Sequence, residues 1–438
     1  MLLKFTAKNF KSFNNEFIFS MEPAPKQKGL DYSILNEKIA SKKIKGLCSA
    51  VIYGPNASGK TNIISAMEVF KAIILRGTIS NTSDHTTPNT AVTNLELIPN
   101  STNKKKSSVD FSIQFTEKGL LIDYFLSLDL GDFLERDYNR KILNEKLMVN
   151  EKVIFSRNTI LKFGDLSVIK DYLANELEEN MKGAVTLAKN NLHDEELFLM
   201  NGFKTMFSSK IVSLISDWMK NKFMVIYRAD ALNTTTKFTD PKKQTVYIEK
   251  TLNDAAGIFG INSNAIGYIV PEDGTEAKLC SIFNDRHTAL AAEAFESYGT
   301  IRFVQMFPLV MRALLNGATL VIDEFDASLH PMALMNIVNL FHNDDINKKN
   351  AQLIFNTHNP IFLNANLFRR DEIKFVERDD ETHCSIHYSL SDFGTAGQNG
   401  VRKNDDYLKN YFINRYGAIK NVDFTPIFEQ LLHDENEV

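Results

Sequence analysis

Gly54-Pro55-Asn56-Ala57-Ser58-Gly59-Lys60-Thr61, with Asn62 after it, lies between an apolar run at 48–53 and a helix-periodic stretch at 62–75. It fits GxxxxGK[ST], and its setting, a strand before and a helix after, is the one this loop's mechanism needs. Gly54 and Gly59 let the backbone wrap around phosphates. Pro55 stiffens the turn, and the successive N–H groups from Asn56, Ala57 and Ser58 to Asn62, together with the helix N-terminus, favour an anion. Lys60 would reach the terminal phosphates and Thr61 would hold Mg²⁺. A chance glycine-rich turn is the competing reading, and the context disfavours it.

A second stretch completes the pattern. Thr319-Leu320-Val321-Ile322-Asp323-Glu324 is a core-strand run ending in two acids, which places Asp323 near a metal ion and Glu324 near an attacking water, where positioning and charge compensation lower a phosphoryl-transfer barrier. An acidic strand end alone is as readily a solvated turn; the glycine loop upstream decides between the two. The strand-like run 352–356 then ends in Asn356-Thr357-His358-Asn359. His358 is the candidate sensor of a terminal phosphate, although a single histidine is often only structural.

Around these motifs, strands alternate with helices: 300–316 and 331–342 read as helices, 319–323 and 352–356 as buried strands, an α/β sheet. Residues 109–163 alternate apolar and polar, as antiparallel strands do, and 167–222 turns helical, with Trp218 near its end. The predicted organisation is an N-terminal lobe at 1–165 with the loop and an antiparallel β subdomain, a helical or mixed insertion at 166–290, and a C-terminal lobe at 291–438. There is no internal repeat and no sustained heptad pattern.

Composition narrows the class. The chain has 438 residues, 44% hydrophobic and 24% charged, with a net charge of −4, enough for a large core and no general attraction for nucleic acid. Cys48, Cys280 and Cys384 lie far apart without metal-ligand spacing, which suits a reducing cytoplasm. The opening residues lack a signal-peptide pattern, and the apolar stretch 301–322 carries Arg302, Gln305, Pro308 and Arg312, so no membrane span is expected. Lys104-Lys105-Lys106 and the basic cluster at 38–45 read as solvated faces before they read as DNA contacts. Asp379-Asp380-Glu381 reads as a hairpin turn, with no metal assigned.

Taken together, the residues resemble the ABC-type ATPases of the SMC, RecF and OLD superfamily, most closely the short AAA-family ATP-binding proteins of bacterial phage-defence, or abortive-infection, operons. Asp326-Ala327-Ser328-Leu329-His330-Pro331 resembles the D-loop, His358 the switch histidine, and Lys8-Asn9-Phe10-Lys11-Ser12-Phe13 the N-terminal motif whose basic residue, here Lys11, approaches nucleotide phosphate. Phe295-Glu296-Ser297-Tyr298-Gly299-Thr300 is similar to the degenerate signature of this group. The resemblance implies that Ser297 and Gly299 complete the ATP site of a second chain, although by themselves they read as a helix cap. Arg369-Arg370-Asp371-Glu372-Ile373 and Asn414 to Ile419 resemble the C-terminal pattern of the short defence ATPases.

The departures are specific. LSGGQ and a long coiled coil are absent, the Q-loop is not identifiable, with Gln114 a weak candidate, and no TOPRIM nuclease set follows His358. The function implied is a Mg²⁺-dependent ATPase switch, cytoplasmic, assembling with itself around ATP and controlling a separate effector, a nuclease by expectation, in anti-phage defence. The alternative is a RecF/SMC-like ATPase of DNA repair or recombination, for which salt-sensitive, ATP-dependent DNA binding would speak. A transporter energy subunit is disfavoured by the degenerate signature.

Overall fold

The computed structural model describes all residues except 26, 28, 81–94, 104–106, 134, 136–137, 175–176, 228–244, 271–276, 285–287, 396–399, 421 and 437–438. Most of the Thr-, Ser- and Asn-rich stretch 77–94, whose polarity predicts an exposed loop, and the whole lysine triplet at 104–106 therefore lie outside the described residues.

The strands run in chain order as β1 (Leu2–Lys8), β2 (Phe17–Ser20), β3 (Ile34–Ile39), β4 (Lys42–Leu47) and β5 (Ser49–Tyr53). The Lys60–Arg76 helix follows, then β6 (Val109–Glu117), β7 (Leu120–Asp129), β8 (Lys141–Val149), β9 (Lys152–Arg157) and β10 (Leu161–Phe163). After a helical stretch come β11 (Phe223–Ile226), β12 (Val246–Tyr247), β13 (Ala265–Ile269), β14 (Lys278–Phe283) and β15 (Thr288–Ala291). The Tyr298–Asn316 helix, β16 (Thr319–Ile322), the Pro331–His342 helix, β17 (Gln352–Asn356), β18 (Ile373–Arg378) and β19 (Ser385–Ser389) complete the site-bearing part.

Two large sheets enclose the glycine-loop helix. The central sheet has the order β11-β16-β17-β5-β18-β19, parallel throughout except for the antiparallel edge β19. Its inner strands β5, β16 and β17 are buried on both faces, which is why they read as continuous apolar runs. Alternation divides them: Ala50, Ile52, Val321 and Ile354 join one core, Val51, Tyr53, Leu320, Ile322, Leu353 and Phe355 the other. The first core holds the Lys60–Arg76 helix between the central sheet and a seven-stranded antiparallel sheet, order β10-β9-β8-β7-β6-β1-β2. There Phe70 packs edge-on against Phe5 at 5.8 Å and tilted against Phe111 at 5.8 Å. The second core holds the Tyr298–Asn316 and Pro331–His342 helices on the opposite face.

The predicted α/β head with an antiparallel subdomain is thus the observed fold. One element sits differently from the linear division: β11, inside the segment read as an insertion, pairs with β16 and forms an edge of the central sheet. Its Phe-Met-Val-Ile run is too short to declare its partner, and only the exposed side of β16 supplies one. The remainder of that segment builds a four-stranded sheet, β12-β13-β14-β15. Among the described residues no helix is long and apolar enough to cross a membrane.

Candidate functional site

The glycine loop leaves the C-terminal end of β5, a central strand whose neighbours β17 and β18 shape the loop's surroundings. Gly54 has φ 157° and Gly59 φ 109°. A Cβ on Gly54 would lie 2.2 Å from the Val376 carbonyl oxygen, and one on Gly59 2.5 Å from Ser385 Oγ and 2.7 Å from Ser12 Oγ. Glycine is required here by close approach as much as by φ. Ser385 Oγ donates to the Ser58 carbonyl at 2.5 Å, its N–H donates to the Ser12 carbonyl at 2.7 Å, and Asn62 Nδ2 donates to Ser12 Oγ at 2.7 Å. The loop is therefore clamped from outside by two serines far apart in sequence.

Within the loop, Lys60 Nζ donates to the carbonyls of Gly54 at 2.7 Å and Pro55 at 3.0 Å. Burial pushes its ammonium down to about 8, and the Asp323, Glu324 and Asp326 carboxylates pull it back up. Thr61 Oγ1 donates to Asp323 Oδ1 at 3.1 Å, bringing the two candidate metal ligands together at the cleft floor. An all-oxygen pair of this kind suits a hard divalent cation.

Asn356, at the end of β17, joins the two acids: its Nδ2 donates to Asp323 Oδ1 while its Oδ1 accepts from the Glu324 N–H. Glu324 has φ 50°, a strained value for a residue with a side chain. The strain is sustained from both sides, since Arg302 Nη2, from the Tyr298–Asn316 helix, also donates to the Glu324 carbonyl at 3.1 Å. Thr357 Oγ1 donates to Asp326 Oδ2 at 2.7 Å, tying the loop after β16 to the loop carrying His358. Burial of part of the ring and the Lys60 charge hold His358 below the usual imidazole range, against the pull of Asp326 and Asp323. This favours the neutral ring, which has one N–H to donate.

These groups surround one cleft of about 330 Å³ lined by Ser12, residues 56–62, Glu324, Asn356, His358 and Arg378. Asn56, Ala57, Ser58, Gly59, Lys60, Thr61 and Asn62 are therefore together with Glu324 and His358, over the buried Asp323. Gly54 and Pro55 form the base of the loop and take the Lys60 ammonium on their carbonyls.

Four sequence candidates lie elsewhere. Lys11 is outside the lining: its Nζ contacts Glu96 Oε2 and Ser65 Oγ, each at 2.6 Å, and it stands 5.3 Å from the Tyr227 ring. Its neighbour Ser12 reaches the cleft instead. Gln114 donates to Asp123 Oδ1 at 2.8 Å across the antiparallel sheet. Ser297 and Gly299 line a separate groove, where Ser297 caps its helix by accepting from Thr300 N–H at 3.1 Å. Gly299 abuts the D-loop-like segment so closely that a Cβ would lie 2.4 Å from the Ser328 carbonyl oxygen.

Sequence reasoning missed Ser12, Arg378 and the bridging role of Asn356. The signal for Ser12 was its place beside Lys11, and for Asn356 its place at the strand end before His358. Arg378 carried none, because only the pairing of β18 with β5 brings it to the cleft.

Comparison with known proteins adds the following. The family model described as "AAA domain, putative AbiEii toxin, Type IV TA system" matches residues 49–364. The chain is similar to a solved SMC head domain from Thermotoga maritima at 13% identity and a TM-score of 0.35, over 89% of this chain and 98% of that one. No curated protein sequence matches.

Proposed function

Because the chain belongs to this AAA-domain family, whose match runs from β5 to beyond His358, we propose that it is an ATP-hydrolysing switch that closes around ATP as a two-chain sandwich and controls a separate effector in phage defence. One observation carries the sandwich: the cleft with Lys60, Glu324 and His358 and the groove with Ser297 and Gly299 are separate cavities of one chain. A second copy would bring the N-terminal end of the Ser297 helix, which favours an anion, over the first copy's cleft. The effector and the defence role follow from the resemblance of the whole motif set and the family description.

In the proposed reaction, the glycine-loop N–H groups and the Lys60 ammonium hold the β- and γ-phosphates. Glu324, clamped at both backbone groups, accepts a proton from water as the water oxygen bonds to the γ-phosphorus. The bond from that phosphorus to the bridging oxygen breaks, leaving ADP and phosphate. His358 donates its N–H to a γ-phosphate oxygen, and Asn356 orients the Asp323 carboxylate and the Glu324 backbone. Mg²⁺, which Thr61 and Asp323 would hold, supplies charge compensation at the phosphate oxygens.

The sandwich is tested by mixing two inactive variants. Lys60→Ala and Ser297→Arg should each lack turnover alone, whereas an equimolar mixture should recover about a quarter of wild-type activity, since half the random dimers carry one intact composite site. A mixture no more active than its components rules the shared site out.

The Lys60 shift gives a pH dependence. The free lysine loses its charge as pH rises through about 8, while bound phosphate favours the charged form. ATP affinity should therefore be flat from pH 6.5 to 7.5 and fall by up to about tenfold per unit well above 8, with one proton taken up on binding. Calorimetry in buffers of different ionisation enthalpy would show that uptake; its absence at pH 9 would contradict the assignment.

A further inference from the structure

The C-terminal helix, Thr425–Asn436, carries an exposed apolar stripe. Ile427, Phe428 and Leu431 are 56%, 63% and 53% exposed, and Phe424, just before the helix, is 62% exposed. Their spacing, i, i+3, i+4, i+7, is that of a single helix face. Lone exposed apolar residues are ordinary, but a contiguous stripe marks a surface that meets another.

The chain also has an unfilled apolar groove of about 990 Å³, between the Lys250–Phe259, Tyr298–Asn316 and Pro331–His342 helices. Ile258, Phe259, Phe303, Phe307, Met332 and Leu340 line it. Ile258 is 91% and Met332 56% exposed at its mouth. Its polar end is formed by Ser297, Gly299, Ser328 and His330, the helix end assigned above to the ATP of a second chain.

The segment before the helix packs beside β5 and β18, the strands that lead to the glycine loop and Arg378. Tyr411 packs against Tyr53, the residue before Gly54, at 6.0 Å and stacks on Phe375 of β18 at 6.0 Å. Lys420 then pairs with Asp380 at 3.0 Å, in the turn that follows the cleft residue Arg378. The chain thus leaves the rim of the phosphate cleft a few residues before the apolar stripe begins.

We propose that the C-terminal helix of one copy seats its Phe424, Ile427, Phe428 and Leu431 face in the apolar groove beside Ser297 of a second copy. This rests on the sandwich reading, which brings the cleft rim of one chain against the Ser297 end of the other. The occupant is a second copy because that approach sets the helix root next to the groove mouth, and because the area suffices. With about 110 Å² exposed on each of four large apolar side chains, matched by the groove and doubled by symmetry, roughly 1,800 Å² is buried, within the range of stable interfaces. The helix acts as a strap that makes closure around ATP and dimer stability one event.

The test uses the full chain carrying Glu324→Gln, with ATP, by sedimentation. Phe428→Glu should weaken the ATP-dependent dimer at least tenfold and leave ATP binding to the monomer intact; exposed Phe428 can be replaced without loss of fold, which a melting curve verifies. For direct contact, Ile258→Cys and, separately, Met332→Cys are introduced into one tagged chain and Phe428→Cys into another, all with Cys384→Ser. Mild oxidation should join the two tagged chains only when ATP is present. If the Glu324→Gln chain dimerises and both Phe428→Glu and the cross-link are without effect, the strap is overturned and the sandwich stands. If the Glu324→Gln chain fails to dimerise at all, both fall. Cross-linking only when both cysteines share one chain also overturns the strap, as does protection of the stripe by a separate effector alone.

Discussion

Glu324→Gln is expected to lower ATP turnover by about 10²–10⁴-fold, the usual contribution of a positioned general base, while ATP stays bound. The amide keeps the size of the carboxylate but loses its charge and its ability to take a proton. The backbone that aims it is independent of the side chain: Asn356 Oδ1 accepts from its N–H and Arg302 donates to its carbonyl, so the φ of 50° is maintained. The proposed ligands to phosphate, in the loop at 54–62, are likewise untouched. Turnover should collapse with little change in ATP affinity, and the sandwich should persist. Single-turnover hydrolysis measured beside equilibrium nucleotide binding separates the two quantities. A variant that still turns over within about threefold of wild type would remove Glu324 from the mechanism and send the search to His358.

Lys60→Ala should act on binding itself. Hydrogen bonds to charged groups contribute about 1.5–3 kcal/mol each, so losing two phosphate contacts should weaken ATP by roughly 10²–10⁴-fold. The structure adds a second cost. Lys60 is only 6% exposed and its ammonium satisfies the Gly54 and Pro55 carbonyls, so the truncation also strips the loop of its internal donor. Lys60→Arg should recover little, because a planar guanidinium does not fit where a compact ammonium nests between two carbonyls. Nucleotide titration of the two variants checks both statements, and ATP binding by Lys60→Ala at wild-type affinity would refute the assignment of the site.

Much of this site is legible in the chain because its decisive parts are local. A phosphate cradle is a conformation of about eight consecutive residues, and the requirements at Gly54, Gly59, Lys60 and Thr61 show directly as residue types. The pair Asp323-Glu324 is legible for the same reason: an apolar run that ends in acids delivers them to a strand end. Ser12 and Arg378 are not legible in that way. Ser12 has only its place beside Lys11 to announce it and Arg378 has nothing; Arg378 reaches the cleft because β18 lies along β5, and Ser12 because Ser385 of β19 donates to its carbonyl. Lys11 shows the converse. Its motif points to phosphate, yet a left-handed turn at φ 48° directs its ammonium to Ser65 and Glu96, a partner supplied from 85 residues away.

The sequence by itself determined the central strand, the glycine loop and the helix of the phosphate site, the acidic strand end, and an α/β head with an antiparallel subdomain. Backbone geometry and burial on both strand faces are written in consecutive residues. Tertiary structure alone decided that Asn356 bridges the two acids, that β11 closes the sheet edge, and that Ser297 opens into a groove away from its own chain's glycine loop. These outcomes depend on which distant surfaces bury one another. Burial is a property of pairs of elements, and no single stretch of the chain encodes its own partner.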